Sequence, residues 1–161
     1  MGHLGFSFTG AVYLLMLYIP NIIWARKLPK DYDPGIENRF LLFLERAGEV
    51  LVTCCAIFFS DLDRHAPEPR IALLTASFAL MLLYELWWIT YFRGGRRIED
   101  FYSSILGIPL AGATLPVAAF LLLGIFGRVI WLVISAVILG VGHIVIHAQH
   151  YRELRRKNGA Q

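Results

Sequence analysis

The stretch VIWLVISAVILGVGHIVIHAQH, residues 129–150, decides how this chain folds. Its first fourteen residues hold one polar side chain, Ser135, and three histidines then follow within eight residues: His143, His147 and His150. An apolar run of about 20 residues crosses roughly 30 Å of hydrocarbon as a helix. The stretch therefore predicts a membrane-spanning helix whose end is rich in imidazole.

Four similar runs precede it, at about 4–24, 40–60, 71–92 and 106–126, giving five predicted spans in one transmembrane domain over 1–161. Composition agrees. Of the 161 residues 57% are hydrophobic and only 17% charged, and the mean hydropathy is +0.59. A soluble domain of this size is less apolar. The fold class predicted is all-α, a polytopic bundle of five transmembrane helices, with the lipid bilayer as its main partner.

Lys and Arg set the orientation. The three basic segments are the first loop, with Arg26, Lys27, Lys30 and Arg39; the third loop, with Arg93, Arg96 and Arg97; and the tail, with Arg152, Arg155, Arg156 and Lys157. These eleven face only Arg64, Arg70 and Arg128 on the opposite side. The positive-inside rule then puts the N-terminus outside and the C-terminus in the cytoplasm of a bacterial-type inner membrane. The net charge of +3 comes from basic residues at span ends, not from a stripe, which excludes nucleic acid as a partner. The N-terminal MGHLGFSFTG has no cationic region and no A-x-A site follows, so no cleaved signal is expected. MGHLGF also fails the myristoylation pattern, Phe6 standing at the Ser/Thr position. Cys54 and Cys55 are adjacent in an apolar run and read as small filler.

Charges inside spans are costly and face the protein interior. Glu45, Arg46 and Glu49 lie in the second run, Tyr84 and Glu85 in the third, His143 and His147 in the fifth. A rise of 1.5 Å per residue puts Glu45, Arg46, Glu85 and His143 roughly 8–10 Å below the cytoplasmic surface, with Glu49 deeper and His147 shallower. Ala136, Gly140, His143, His147 and His150 follow 4-3-4-3 spacing and share one helix face. Ala136 and Gly140 form a small-xxx-small pair, which marks that face as a packing face. Spans two, three and five are thus expected to enclose a polar pocket of Glu45, Arg46, Glu49, Tyr84 and Glu85.

Four chemistries fit such a pocket. The leading reading is a cation or proton site in transport or sensing of a small ion or solute. For a divalent metal, His143 and His147 at i and i+4 supply two imidazoles, and Glu49, Glu85 or Glu45 the carboxylate. For a proton, Glu and His titrate usefully when buried together. The main alternative is a structural or accessory subunit in which the network only locks helices. The third is an enzyme acting on a lipid or prenyl substrate, with Arg93, Arg96 and Arg97 holding a headgroup or phosphate; no catalytic residue is singled out. Haem is disfavoured, because the remaining histidines, His3 and His65, fall on the other side. Five spans per protomer also admit a homo-oligomer.

Two stretches stay ambiguous. IEDFYSSIL, 98–106, spaces Ile98, Phe101, Tyr102 and Ile105 for an interfacial helix, or is an ordinary connector. YELWWITYF, 84–92, is expected to be an aromatic belt at the membrane surface, with Tyr84 left for the pocket. His150 is expected near the headgroups in a solvated role.

Overall fold

The computed structural model describes residues 2–29, 37–64 and 68–159; Lys30 and His65 fall outside them. Among these residues the chain is helical without a sheet. Helix α1 spans Phe8–Ala25, α2 Arg39–Phe58, α3 Glu68–Arg93, α4 Ile98–Phe101, α5 Ala111–Gly127 and α6 Ile130–Gly159. A 3-10 turn, Ser60–Asp63, joins α2 towards α3.

Three segments are long and apolar enough to cross a membrane: Phe8–Ala25, Pro69–Arg93 and Ile130–Lys157. They suggest a membrane protein. Helix α5 is apolar but has 17 residues. Helix α2 has 20 residues, but Glu45, Arg46 and Glu49 dilute its apolar character.

The fourth run starts as a helix at Ala111, not at 106. Leu106, Gly107 and Leu110 all take positive φ, at 50°, 80° and 48°, so the backbone turns sharply there. Ile105 and Ile108 exchange backbone hydrogen bonds of 3.3 and 2.9 Å across that turn. The last helix continues to Gly159, nine residues past the apolar run, through Arg152, Arg155 and Arg156.

Helix α5 sits at the centre. Leu115, Ala119, Phe120 and Leu123 are almost fully buried against α3 and α6. The turn to α6 is tight: Arg128 adopts a left-handed φ of 54°, and the Val129 N–H donates to the Gly124 carbonyl at 2.9 Å. That turn makes α5 and α6 antiparallel neighbours.

Helices α2 and α6 meet closely because two glycines let them. A Cβ at Gly48 would lie 2.5 Å from the Leu139 Cα, and one at Gly142 would lie 2.4 Å from the Glu45 N. The small residues named from sequence, Ala136 and Gly140, are buried too. Gly140, however, faces Val117 of α5, so the close α2–α6 contact belongs to Gly48 and Gly142.

The aromatic run is not a surface belt. Tyr84, Trp87, Trp88 and Tyr91 are at most 3% exposed. Their 3-4 spacing puts them on one face of α3, which also carries the buried Ser77 and Met81. The 98–105 segment supplies their partner. Phe101 and Tyr102 are buried, and the Phe101 ring stacks on Trp24 with centroids 4.7 Å apart. The apolar spacing of this segment thus serves inward packing through Phe101 and Tyr102.

At the other end of the bundle, the 3-10 turn caps α1. Asp63 accepts from the Phe8 and Thr9 N–H groups, both at 2.8 Å, where the helix dipole favours a negative charge. Ser7 Oγ accepts from the Gly10 N–H at 3.0 Å. Asp61 accepts from the backbone and ring of His3 and pairs with Arg64 at 3.3 Å. Desolvation pushes both carboxyls up. The hydrogen bonds from His3 together with the Arg64 charge outweigh it at Asp61, and those from Thr9, Phe8 and Ser7 outweigh it at Asp63, so both sit below the usual carboxylate value. With the unfolded value near about 3.9, their contribution to stability is complete above that pH. It is lost as pH falls through the lowered folded values. Thermal melting in detergent should therefore drop more steeply below about pH 4 in the wild type than in an Asp61→Asn/Asp63→Asn variant, which starts lower at neutral pH. Parallel acid profiles would remove these carboxylates from the account.

Candidate metal centre

The histidine stripe faces α2 and the loop after α3. His143 Nδ1 lies 2.5 Å from Glu45 Oε1. The His143 side chain is 24% exposed and that of Glu45 12%. One turn further, the His147 ring lies 4.4 Å from that of His143, centroid to centroid. It is boxed in by Phe101 at 5.6 Å and Tyr102 at 5.8 Å. A further turn brings His150, whose Nδ1 is 3.2 Å from the Tyr102 hydroxyl and whose Nε2 is 3.4 Å from Glu37 Oε1. His150 is 14% exposed in its side chain. It is thus largely enclosed rather than solvated, because the Tyr102 loop and Glu37 cover it.

Glu45, His143 and His147 each offer one ligand atom, and these atoms lie within 4.8 Å of one another. A tetrahedral ion with bonds near 2.0–2.1 Å sets its ligand atoms roughly 3.3 Å apart. A spread of up to 4.8 Å is wider than an occupied site would show. Two imidazoles and one carboxylate make a three-ligand set that leaves coordination positions open. In such a set a hydrogen bond to the other ring nitrogen fixes the tautomer. These side chains border a cavity of about 190 Å3, together with Asn21, Trp24, Trp88 and Tyr102.

The other sequence candidates are placed as follows. Glu49 lines the same cavity and pairs with Arg46 at 3.1 Å. Arg46 lines the cavity as well, with its side chain 71% exposed while it holds that pair. Tyr84 accepts from Asn21 Nδ2 at 2.6 Å and borders a second cavity beside the first. Glu85 joins neither cavity wall; its Oε1 is buried without a hydrogen-bond partner. One residue along a helix is a rotation of 100°, which carries Glu85 off the face shared by Tyr84 and Trp88. The carboxylate that meets the histidines is therefore Glu45, with Glu49 close by and Glu85 apart. Arg93, Arg96 and Arg97 are exposed at the end of α3 and border none of this.

Sequence reasoning missed Glu37, Asn21, Trp24 and the pocket role of Tyr102. Asn21 had a visible signal: a carboxamide directly after Pro20 within an apolar run. Its Nδ2 donates to the Leu17 carbonyl at 2.7 Å as well as to Tyr84.

Compared with protein-family models, with curated proteins and with solved structures, the chain matches none. The fold and the Glu/His cluster define a class only: an all-helical protein with three apolar helices suited to a membrane and a cluster of two histidines and a glutamate between α2 and α6.

Proposed function

We propose that this is a multi-pass protein of a bacterial-type inner membrane that binds a divalent transition-metal cation at Glu45, His143 and His147, in transport or sensing. The carrying observation is the convergence of three ligand atoms from two helices within 4.8 Å. Hard cations fit less well, because imidazole nitrogen in pairs selects borderline ions such as Zn²⁺, Fe²⁺ or Ni²⁺.

Five crossings complete the reading. A 17-residue helix such as α5 meets the lower limit for a span, and its buried position inside the bundle frees it from facing lipid along its whole length. Helix α2 hides its Glu45 against α6. The Lys and Arg bias puts the C-terminus in the cytoplasm and the metal cluster in the cytoplasmic third.

A second reading has one observation in its favour. The 2.5 Å contact of Glu45 with His143 ties α2 to α6 without an ion, so the pair could serve only to lock helices. Metal content separates the two. Mass spectrometry of purified protein, reloaded in turn with Zn²⁺, Fe²⁺, Mn²⁺ and Ni²⁺, should find about one ion per chain for one of them. No retained ion would leave the helix-locking reading.

A further inference from the structure

Two cavities meet at the Glu/His site. The polar one has been described. The second, of about 140 Å3, is walled mainly by Leu17, Val52, Val117, Phe120 and Leu139. Asn21, Glu49, Gly112 and His143 border both, so apolar space begins where the histidine ends. An apolar void of about 150 Å3 can take benzene. A bare or hydrated cation has no use for such a chamber.

A second observation concerns the polar side. Trp88, in the wall of the polar cavity, is 2% exposed, and its indole N–H lies near the Tyr84 hydroxyl without a hydrogen bond of good geometry. The Tyr84 hydroxyl also accepts from Asn21 at 2.6 Å, so two donors share one oxygen. An indole N–H only donates, and a buried donor without an acceptor is costly. A ligand oxygen in this cavity would satisfy it.

The entrance is lateral. Helix α2 packs extensively on α6 and only sparsely on α1. Tyr18 of α1 and Glu49 of α2 border the apolar cavity and are 37% and, in the side chain, 38% exposed. The seam between α1 and α2 is thin there and is held by the Tyr18 hydroxyl and Thr53 Oγ1, 2.5 Å apart.

We propose that the pocket takes a small amphipathic molecule dissolved in the bilayer. Its polar head carries a hydroxyl whose oxygen accepts from Trp88 and whose hydrogen faces Glu45, beside His143. Its apolar body, of about six carbons by the benzene comparison, fills the second cavity. This rests on the reading of Glu45, His143 and His147 as a ligand-binding centre. An ion held there would meet the head oxygen at an open coordination position.

The test is photolabelling in lipid nanodiscs with a short-chain alkanol that carries a diazirine, followed by peptide mass spectrometry. It is run on chelator-stripped and on Zn²⁺-loaded protein. Adducts should concentrate on Val52, Val117 and Leu139 in both arms. They should exceed those on Val137 and Ile19, whose side chains face outward. Val117→Phe should abolish the cavity adducts and spare the outward ones. Should Val117→Phe elute as aggregate, Leu17→Trp closes the same cavity nearer its entrance. An alkyl diazirine without the hydroxyl should label the cavity about tenfold less, as expected for losing a buried hydrogen bond. Adducts confined to outward positions would overturn the proposal, as would cavity adducts unchanged by the filling variants or equal labelling by the hydroxyl-free probe. Because the stripped arm reads the cavity alone, a failure of the metal reading appears in the metal count and not in the adduct map.

Discussion

Gly142→Leu is expected to separate α2 from α6 and to lower the melting temperature by about 5–10 °C. A Cβ at this position would lie 2.4 Å from the Glu45 N, 2.7 Å from the Leu41 carbonyl oxygen and 2.9 Å from the Glu45 Cα. All three are backbone atoms, so no rotamer change relieves the clash. Overpacking of this kind costs about 1–3 kcal/mol or more, and in a chain of this size each kcal/mol lowers the melting temperature by about 2–4 °C. The damage also reaches the site. The obstructing residue is Glu45 itself, so the displaced helix carries its carboxylate away from His143. Metal retention should fall together with thermal stability. Val141→Leu, one residue away on an outward position 47% exposed, should change neither. Melting curves and metal content on the two variants check both statements. An unchanged Gly142→Leu protein would mean that α2 and α6 do not meet as described.

His143→Ala/His147→Ala should lose the metal entirely while keeping the fold. The double replacement removes two of three ligands, and a lone carboxylate does not hold a transition metal in competition with buffer and water. The rest of the bundle has its own support in the buried apolar contacts of α5 and the aromatic packing of α3. Loss of the His143 contact leaves Glu45 only partly shielded, so the destabilisation should be modest beside that of Gly142→Leu. The measurement is metal content after reloading, with helicity by circular dichroism and elution volume as controls. Glu45→Gln keeps the shape and removes the charge, and should weaken binding without abolishing it. Metal retained by the folded double variant would move the site elsewhere.

The histidine face was legible because α6 has a helical period and its small residues mark a packing side. The carboxylate partner was not. Depth below a membrane surface follows from counting residues, and it ranked Glu45, Glu49 and Glu85 as neighbours. Rotation about the helix axis decides which of them arrives. On α3 the buried Ser77, Met81, Tyr84, Trp88 and Tyr91 fix that rotation, and Glu85 lies off their face. The same period, applied to 84–92, would have turned the aromatic residues inward; position near a span end pointed to a surface belt instead. Segment 98–105 and Glu37 were harder. The spacing of the first shows an apolar side but not its partner, and Glu37 stands in no period, so nothing in the order of residues shows that Phe101 stacks on Trp24 or that Tyr102 and Glu37 close over His150. A helix stands at each predicted run, three of them long and apolar enough to cross a membrane, and the fourth starts late where positive φ at Leu106 and Leu110 turns the backbone. The glycine contact between α2 and α6 was also missed: Gly140 and Gly142 stand two apart, and only the partner helix distinguishes them.

X-ray absorption at the metal edge of Zn²⁺-loaded wild-type protein tests the central claim most directly. The account predicts a shell of nitrogen and oxygen at about 2.0–2.2 Å, with the outer-shell scattering of two imidazole rings, from His143 and His147. An all-oxygen shell without imidazole scattering would contradict it.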